Sequence, residues 1–274
     1  MQKSIFLQNE GHTLKEVVMC SPAKEYFLVD KQAQHNITEL ANREKAINQH
    51  NHLVKLIEKF GAKVLLINEL VKHPNSVFTQ DTAVSTPYGY IRLNMGLLSR
   101  VGEDVWMSQY LNKRNIPQIG SIVNSGTVEG GDVILGGNIA FVGISTRTNE
   151  NGAFQMRYLL EKEGYVVRIS KIPSPFLHIG GAMSIINEDT ILCVNKVFPS
   201  DFFAGFQTIM IPNDGFISGN VITLGKKHLI ANKNNLNAIQ KLKKANFTVW
   251  ECNLSEFTKG TGGPSCLIMP LKRK

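Results

Sequence analysis

A short pattern that returns along the chain limits its fold more than any other feature. Residues 80–91, 131–142, 181–192 and 219–230 each pass from a small or polar residue into a β-type run, a Gly/Asn turn and a second β-type run. That order of residues specifies a β-hairpin. The anchors Asp81, Asp132, Ala182 and Asn220 are spaced by 51, 50 and 38 residues, and Cys266, in Gly262-Gly263-Pro264-Ser265-Cys266, follows 46 later. Repeats of this size indicate stacked or circular modules.

Helix-period segments lie between the hairpins, near 41–60, 103–114, 150–163, 199–207 and 234–245. Each precedes a short β-type run, at 64–67, 119–123, 165–169, 208–211 and 247–250. The module is therefore ββαβ, and five fit the 274 residues. The last copy stops after one strand, at 267–271, while residues 16–20 offer a partner that closes a ring. Closure removes exposed strand edges. The expected architecture is a five-fold pseudosymmetric α/β propeller in one domain over residues 1–274. A two-layer α+β domain with chance likeness between segments is the competing interpretation. In a ring, module starts point to one axis, so Asp81, Asp132 and Cys266 are expected to meet.

Composition excludes several classes. At 43% hydrophobic, the chain can bury a core, which rules out disorder. It has no apolar run of ~18 residues, so no membrane partner is expected. Residues 1–10 lack the apolar stretch and cleavage site of a signal peptide, which implies a cytoplasmic protein. The net charge of +8 invites a nucleic-acid partner. The lysines are mostly scattered, however, and the nearest thing to a patch (Lys226, Lys227, Lys233, Lys241, Lys243 and Lys244, plus the Lys272-Arg273-Lys274 tail) has no aromatic interleaving. A solvated face is the expectation, with no nucleic acid bound. Cys20, Cys193, Cys252 and Cys266 show neither CxxC nor Cys/His ligand spacing, so neither disulfide, metal nor cofactor is expected.

Five groups of residues carry chemistry. Cys266 follows a glycine-rich approach that leaves room for a substrate beside a thiolate. Cys20, Cys193 and Cys252 sit inside apolar β-type runs and are read as packing. His178 is the one histidine at a module start, and imidazole is the usual proton-transfer partner of a cysteine. Asp81 and the run Glu129-Gly130-Gly131-Asp132 concentrate carboxylates, which suits a cationic target; Asp at a hairpin start also satisfies turn amides. Arg100 and Arg147 are placed to clamp a carboxylate or to lie on the surface. Residues 10–15 and 36–43 are loop-like segments suited to covering a site.

Together, Phe78-x-x-Asp81, Glu129-Gly-Gly-Asp132, Ser145-x-Arg147-Thr-Asn149, Leu177-His178 and Gly262-Gly-Pro-x-Cys266 resemble the guanidino-group-modifying enzymes. That superfamily comprises arginine deiminase, glycine amidinotransferase and dimethylarginine dimethylaminohydrolase. The order and spacing match over roughly residues 15–271. The resemblance implies the same propeller and a covalent mechanism on arginine or N-methylated arginine that yields citrulline. In it, Cys266 attacks the guanidinium carbon, Asp81 holds the guanidinium, His178 moves protons and Glu129 orients His178. Arg100 and Arg147 would bind the substrate carboxylate, and Asp132 would be mainly structural. Asn75 stands where the dimethylaminohydrolase branch commonly has Asp, and Gly180 where deiminases carry a second guanidinium-binding Asp. The length leaves no room for the helical insertion of bacterial deiminases. Transfer of the amidino group to an amine stays open because it shares the first half-reaction. So does a non-catalytic binding protein on the same fold, and so does a homodimer.

Overall fold

The computed structural model describes residues 6–274. The first module is β1 (Leu14–Cys20), α1 (Arg43–Lys59) and β2 (Lys63–Ile67). The second runs β3 (Ala83–Thr86), β4 (Gly89–Arg92), α2 (Glu103–Lys113) and β5 (Gln118–Ser121). The third repeats it as β6 (Val133–Gly136), β7 (Ile139–Ile144), α3 (Glu150–Lys162) and β8 (Val166–Lys171). The fourth opens on a single helical turn, α4 (Ile179–Ala182), followed by β9 (Met183–Asn187), β10 (Thr190–Val194) and β11 (Gln207–Ile211). The fifth is β12 (Val221–Gly225), β13 (His228–Asn232), α5 (Leu236–Lys244) and β14 (Thr248–Cys252), after which α6 (Ser255–Thr258) leads to β15 (Met269–Arg273).

These strands form five three-stranded sheets, each with one antiparallel and one parallel pair. A parallel neighbour needs a crossover; a helix makes it in every module but the fourth, where the segment between β10 and β11 does. The ring closes as expected: Val17 of β1 pairs antiparallel with Pro270 of β15, and Val18 with Met269. The fold is a five-fold pseudosymmetric α/β propeller.

A turn precedes each inner strand, and these turns bond one to the next around the axis. Gly131 N–H donates to Asp81 Oδ1 at 3.0 Å, and Ile179 N–H to Asp132 Oδ1 at 2.8 Å. Asn220 then donates to Gly180 O at 2.8 Å and accepts from Ser265 N–H at 3.0 Å. Thr79 closes the circle by donating to Leu267 O at 3.2 Å. Buried polar turns require such partners, and meeting that requirement brings five distant segments to one place.

The fourth module departs from expectation. The segment at 199–207 forms turns instead of a helix. Its phenylalanines mimic a helical face in sequence, yet Phe198, Phe202 and Phe203 pack on one another at 5.0–5.2 Å between ring centroids. Phe202, Phe203 and Phe206 also pack on Phe141 of the third module. Pro199 and Gly205, the latter at φ +92, bracket a stretch too short to hold both this cluster and a helix. Residues 10–15 also differ from expectation. They do not cover the module starts: Glu10 N–H donates to Leu135 O, and His12 O accepts from Arg273, at the opposite ends of the inner strands. Among the described residues, no helix is long and apolar enough to cross a membrane.

His50 of α1 lies 1% exposed in the core, and neither ring nitrogen has a hydrogen-bond partner among the described residues. Burial lowers its pKa from 6.5 to about 4. The unfolded chain therefore takes up a proton at His50 before the folded one does, and stability drains away as pH falls from 6.5 toward 4. The loss amounts to about 3 kcal/mol. His50→Leu is expected to flatten that acid limb and to raise stability at pH 7 by about 1 kcal/mol or more. Denaturation midpoints at pH 7 and pH 5 check this, and an unchanged pH slope in the variant refutes it.

Candidate active site

The turns before the inner strands deliver Asp81, Glu129, His178 and Cys266 to one end of the ring axis. Glu129 is wholly buried, and its Oε2 lies 2.9 Å from His178 Nε2. Arg147 Nη1 approaches both its oxygens at 3.3 and 3.4 Å, and Leu97 N–H donates to Oε1 at 3.1 Å. Burial opposes its charge, but the His178 hydrogen bond and the Arg100 and Arg147 charges hold it well below the usual carboxylate range. For His178, burial alone would lower the pKa. Asp81, Asp132 and Glu129 outweigh that and raise it to about 9, so the ring is an imidazolium at neutral pH.

Cys266 lies in a short 3₁₀ turn, Ser265–Leu267, with Gly263 N–H donating to Sγ at 3.3 Å. It is the only cysteine that is not fully buried; Cys20, Cys193 and Cys252 lie inside β1, β10 and β14 as the sequence suggests. Burial, with Asp81 adding to it, pushes the Cys266 thiol up to about 12. The resting pair is thus a neutral thiol beside an imidazolium. A cation entering the site favours the thiolate.

Arg100 differs from expectation. It does not present a free fork for a substrate carboxylate. Nη1 donates to Asp81 Oδ2 at 2.6 Å, Nε and Nη2 to Glu103 Oε2 at 2.9 and 2.7 Å, and Nη2 also to Phe78 O at 2.9 Å. The side chain is 3% exposed. Three buried carboxylates from distinct segments need a resident cation, and Arg100 supplies it. Arg147 also lies against the site, 7% exposed, but Glu129 engages only its Nη1. Asp132 accepts from Ser145 Oγ at 2.6 Å and from Ile179 N–H, so it holds two turns together. Burial raises its pKa to about 6.

Asn75 is buried. Its Nδ2 donates to His35 O at 2.8 Å, its buried Oδ1 has no hydrogen-bond partner among the described residues, and the residue lines the cavity. Residues 34–38 lie over this side of the site: Ser99 Oγ bonds Gln34 O, and Asn36 Nδ2 bonds Thr261 Oγ1 at 2.8 Å. Of the two loop-like segments, this one reaches the site.

The cavity has two lobes of about 20 Å3 each, which share Cys266, His178, Leu177 and Thr261. The first is charged and includes Asn75, Asp81, Arg100 and Arg147. The second is neutral and includes Gly131, Gly180, Phe216 and Asn220. Asp81, Glu129 and His178 also have the spacing of a metal-binding cluster. Arg100 already lies between the two carboxylates, and Arg147 against Glu129, as compensating cations.

Neither Glu103 nor Asn220 was read from the sequence as a site residue. Glu103 is fully buried behind Arg100, and burial raises its pKa to about 7 against the pull of Arg100. In sequence it reads as an ordinary acidic residue in the first turn of α2. Asn220 occupies a repeat anchor, the one signal available for its place beside Ser265.

The model for the family described as "N,N dimethylarginine dimethylhydrolase, eukaryotic" matches residues 28–273. The N(G),N(G)-dimethylarginine dimethylaminohydrolase of Pseudomonas aeruginosa is 27% identical over 258 residues, covering 93% of this chain and 98% of that protein. The uncharacterized protein YkgA of Bacillus subtilis is 28% identical over 280 residues, with 99% and 96% covered. Among solved structures, the Pseudomonas aeruginosa enzyme as a cysteine-to-serine mutant complexed with citrulline superposes with a TM-score of 0.84 at 25% identity, over 94% of this chain and 100% of that one. The amidinotransferase SxtG of Microseira wollei shares the fold, with a TM-score of 0.78 at 17% identity and 99% and 98% covered. With the match running from residue 28, beyond β1, to the end of β15, the chain belongs to the dimethylarginine dimethylhydrolase family, within the guanidino-group-modifying superfamily.

Proposed function

We propose that the protein hydrolyses the guanidino group of arginine or N-methylated arginine, releasing citrulline and ammonia or a methylamine. The observation that carries this reading is the convergence of Cys266, His178 and Asp81 on one cavity, with Glu129 bonded behind His178. A guanidinium entering the charged lobe is held by Asp81 through charge-assisted hydrogen bonds. Asn75 Oδ1, buried and unpartnered, accepts a further N–H. Arg147, with donors to spare, takes the substrate carboxylate; Arg100 holds Asp81 in place.

The bound cation favours loss of the Cys266 thiol proton to solvent, and the thiolate attacks the guanidinium carbon and forms a C–S bond. His178, an imidazolium, gives its proton to the departing nitrogen, and the C–N bond breaks to release the amine. An S-alkylthiouronium remains on Cys266. Neutral His178 then takes a proton from water as its oxygen adds to the same carbon. The C–S bond breaks as the hydroxyl proton passes to sulfur, which restores the thiol and frees citrulline. Glu129 stabilises the imidazolium each time it forms. The reading includes a protein that works in the cytoplasm and takes no cofactor.

Labelling with a cationic haloacetamidine, followed by intact-mass and peptide analysis, tests the nucleophile. One adduct at Cys266 is expected, formed at least ~10-fold faster than with the neutral haloacetamide, because only the cation assists ionisation. Citrulline release from arginine, N-monomethyl- and N,N-dimethylarginine then tests the reaction. No adduct at Cys266, or product that appears only with an added amine acceptor, overturns the hydrolase reading.

A further inference from the structure

A second cavity, of about 210 Å3, lies behind a wall formed by Phe216 and Ile217, which also line the neutral lobe. The rest of its lining comes from the turn at Asp214, from the end of β13 and the residues that lead into α5, and from Thr258 of α6. Asp214, Asn235 and Thr258 take no part in the chemistry assigned above. We propose that this cavity binds a small organic cation, an ammonium or guanidinium ion with N–H groups to donate. The proposal goes beyond the hydrolase reading and stands apart from it, because it rests on this lining alone.

Charge sets the class of ligand. Asp214 is the one ionisable residue of the lining among the described residues; Lys233, between Asn232 and Asn234, is exposed and lies outside it. The aspartate is fixed by its own turn: its N–H donates to Ser218 Oγ at 2.9 Å, and Ser218 Oγ donates to Gly215 O at 2.7 Å. Asn237 Nδ2 donates to Asp214 Oδ2 at 2.7 Å, while Oδ1 has no hydrogen-bond partner among the described residues. A positive ligand therefore meets a positioned carboxylate with acceptor capacity left over. Phe216, half-buried, lines the same space, and an aromatic face attracts a cation further.

A buried amide narrows the choice to ions that donate N–H. Asn235 is 8% exposed and stands just before α5, yet its side chain makes no capping bond. Its Nδ2 donates instead to Ser218 O at 2.8 Å and to Ile217 O at 3.3 Å. Both partners are carbonyls, so the NH₂ end of the amide must face them. Asn235 Oδ1 has no hydrogen-bond partner among the described residues, and the residue lines the cavity. A buried oxygen of this kind takes a donor when one is offered. One carboxylate and one amide oxygen are too few to replace the water around a calcium or magnesium ion.

The walls of this cavity continue into the catalytic turns. Phe216 O packs on Gly181, where a Cβ would collide with it, three residues beyond His178. Thr258 O accepts from Thr261 N–H at 3.0 Å, and Thr261 lines both catalytic lobes. A cation held here is separated from Cys266 by the Phe216–Ile217 wall.

A titration followed by the amide shifts of Gly215, Phe216, Asn234 and Asn235 reads this site separately from the catalytic cavity. The probes are guanidinium chloride and methylammonium chloride, with urea as the neutral counterpart of guanidinium and sodium chloride as the salt control. Saturable shifts at these amides are expected for both cations, with a Kd of ~1 mM for the tighter one. Urea is expected to bind at least ~10-fold more weakly. The tighter cation shows whether the site favours the guanidinium type or the amine type. Asp214→Asn is expected to weaken both cations at least ~10-fold, and Asp214→Glu, which keeps the charge, to stay within ~3-fold of wild type. Thermal melts establish that both variants fold. Shifts that do not saturate, urea that binds as tightly as guanidinium, or a folded Asp214→Asn protein that binds like wild type each overturn the proposal. Shifts confined to residues around Asp81 and Cys266 also overturn it, since the catalytic cavity would then account for all the binding.

Discussion

Cys266→Ser is expected to lower turnover by about four orders of magnitude or more, the scale seen when a catalytic nucleophile is removed. Ionisation does not single this cysteine out. Burial raises all four thiols: Cys193 to about 11, Cys252 and Cys266 to about 12, and Cys20 higher still. Position does. Only Cys266 borders a cavity that also contains an imidazolium and Asp81, and Arg100 and the Gly263 N–H pull its pKa back against burial. A serine hydroxyl is a far weaker acid than a thiol, so a bound cation cannot ionise it. Asp81, Asn75 and Arg147 are untouched by the change, and binding of arginine and citrulline is expected to persist. Rapid-quench and steady-state citrulline assays, beside a thermal melt and a citrulline titration, separate lost chemistry from lost folding. Retention of more than about 1% of turnover in a folded variant sinks the covalent mechanism.

The ring was legible because hairpins leave strong local marks: alternating residues around Gly/Asn turns, repeated at module spacing. Closure by β1 and β15 followed from an incomplete last module. The site residues were legible as far as they coincided with repeat anchors, as Asp81, Asp132 and Cys266 do. What failed was information that exists only after packing. Phe198, Phe202, Phe203 and Phe206 recur at helical intervals, but the last three pack on Phe141, more than fifty residues away in sequence. Arg100 looked like a surface or substrate-facing arginine because nothing local announces that carboxylates at 81, 103 and 129 surround it. Glu103 was invisible for the complementary reason, since an acidic helix start is ordinary in itself. A long-range charge cluster has no periodicity to read.

Glu129→Gln is expected to cut kcat by roughly 10³–10⁴, the effect of neutralising the buried acid of a nucleophile–histidine–acid set. Glu129 is acceptor-only, and donors surround it: His178 Nε2 at 2.9 Å, Leu97 N–H at 3.1 Å and Arg147 Nη1 at 3.3 Å. A glutamine of the same shape must turn its NH₂ toward one of them. Either His178 loses the partner that fixes its tautomer, or Arg147 and the Leu97 amide face a donor. The charge loss also carries a sign. His178 titrates at about 9 because Asp81, Asp132 and Glu129 overcome burial, which acts in the opposite direction. Without the Glu129 charge its pKa falls, and the proton needed by the departing amine is lost at lower pH. The variant's deficit in kcat is therefore expected to be greater at pH 9 than at pH 6, with the basic limb of the profile moved downward. KM is expected to change less than kcat, because Asp81 and Asn75 still hold the guanidinium. Normalising to the folded fraction removes the cost of leaving Arg100 and Arg147 less compensated. A uniform loss of activity, with the basic limb in its wild-type place, would reduce Glu129 to a structural anchor for the two arginines and remove it from proton transfer.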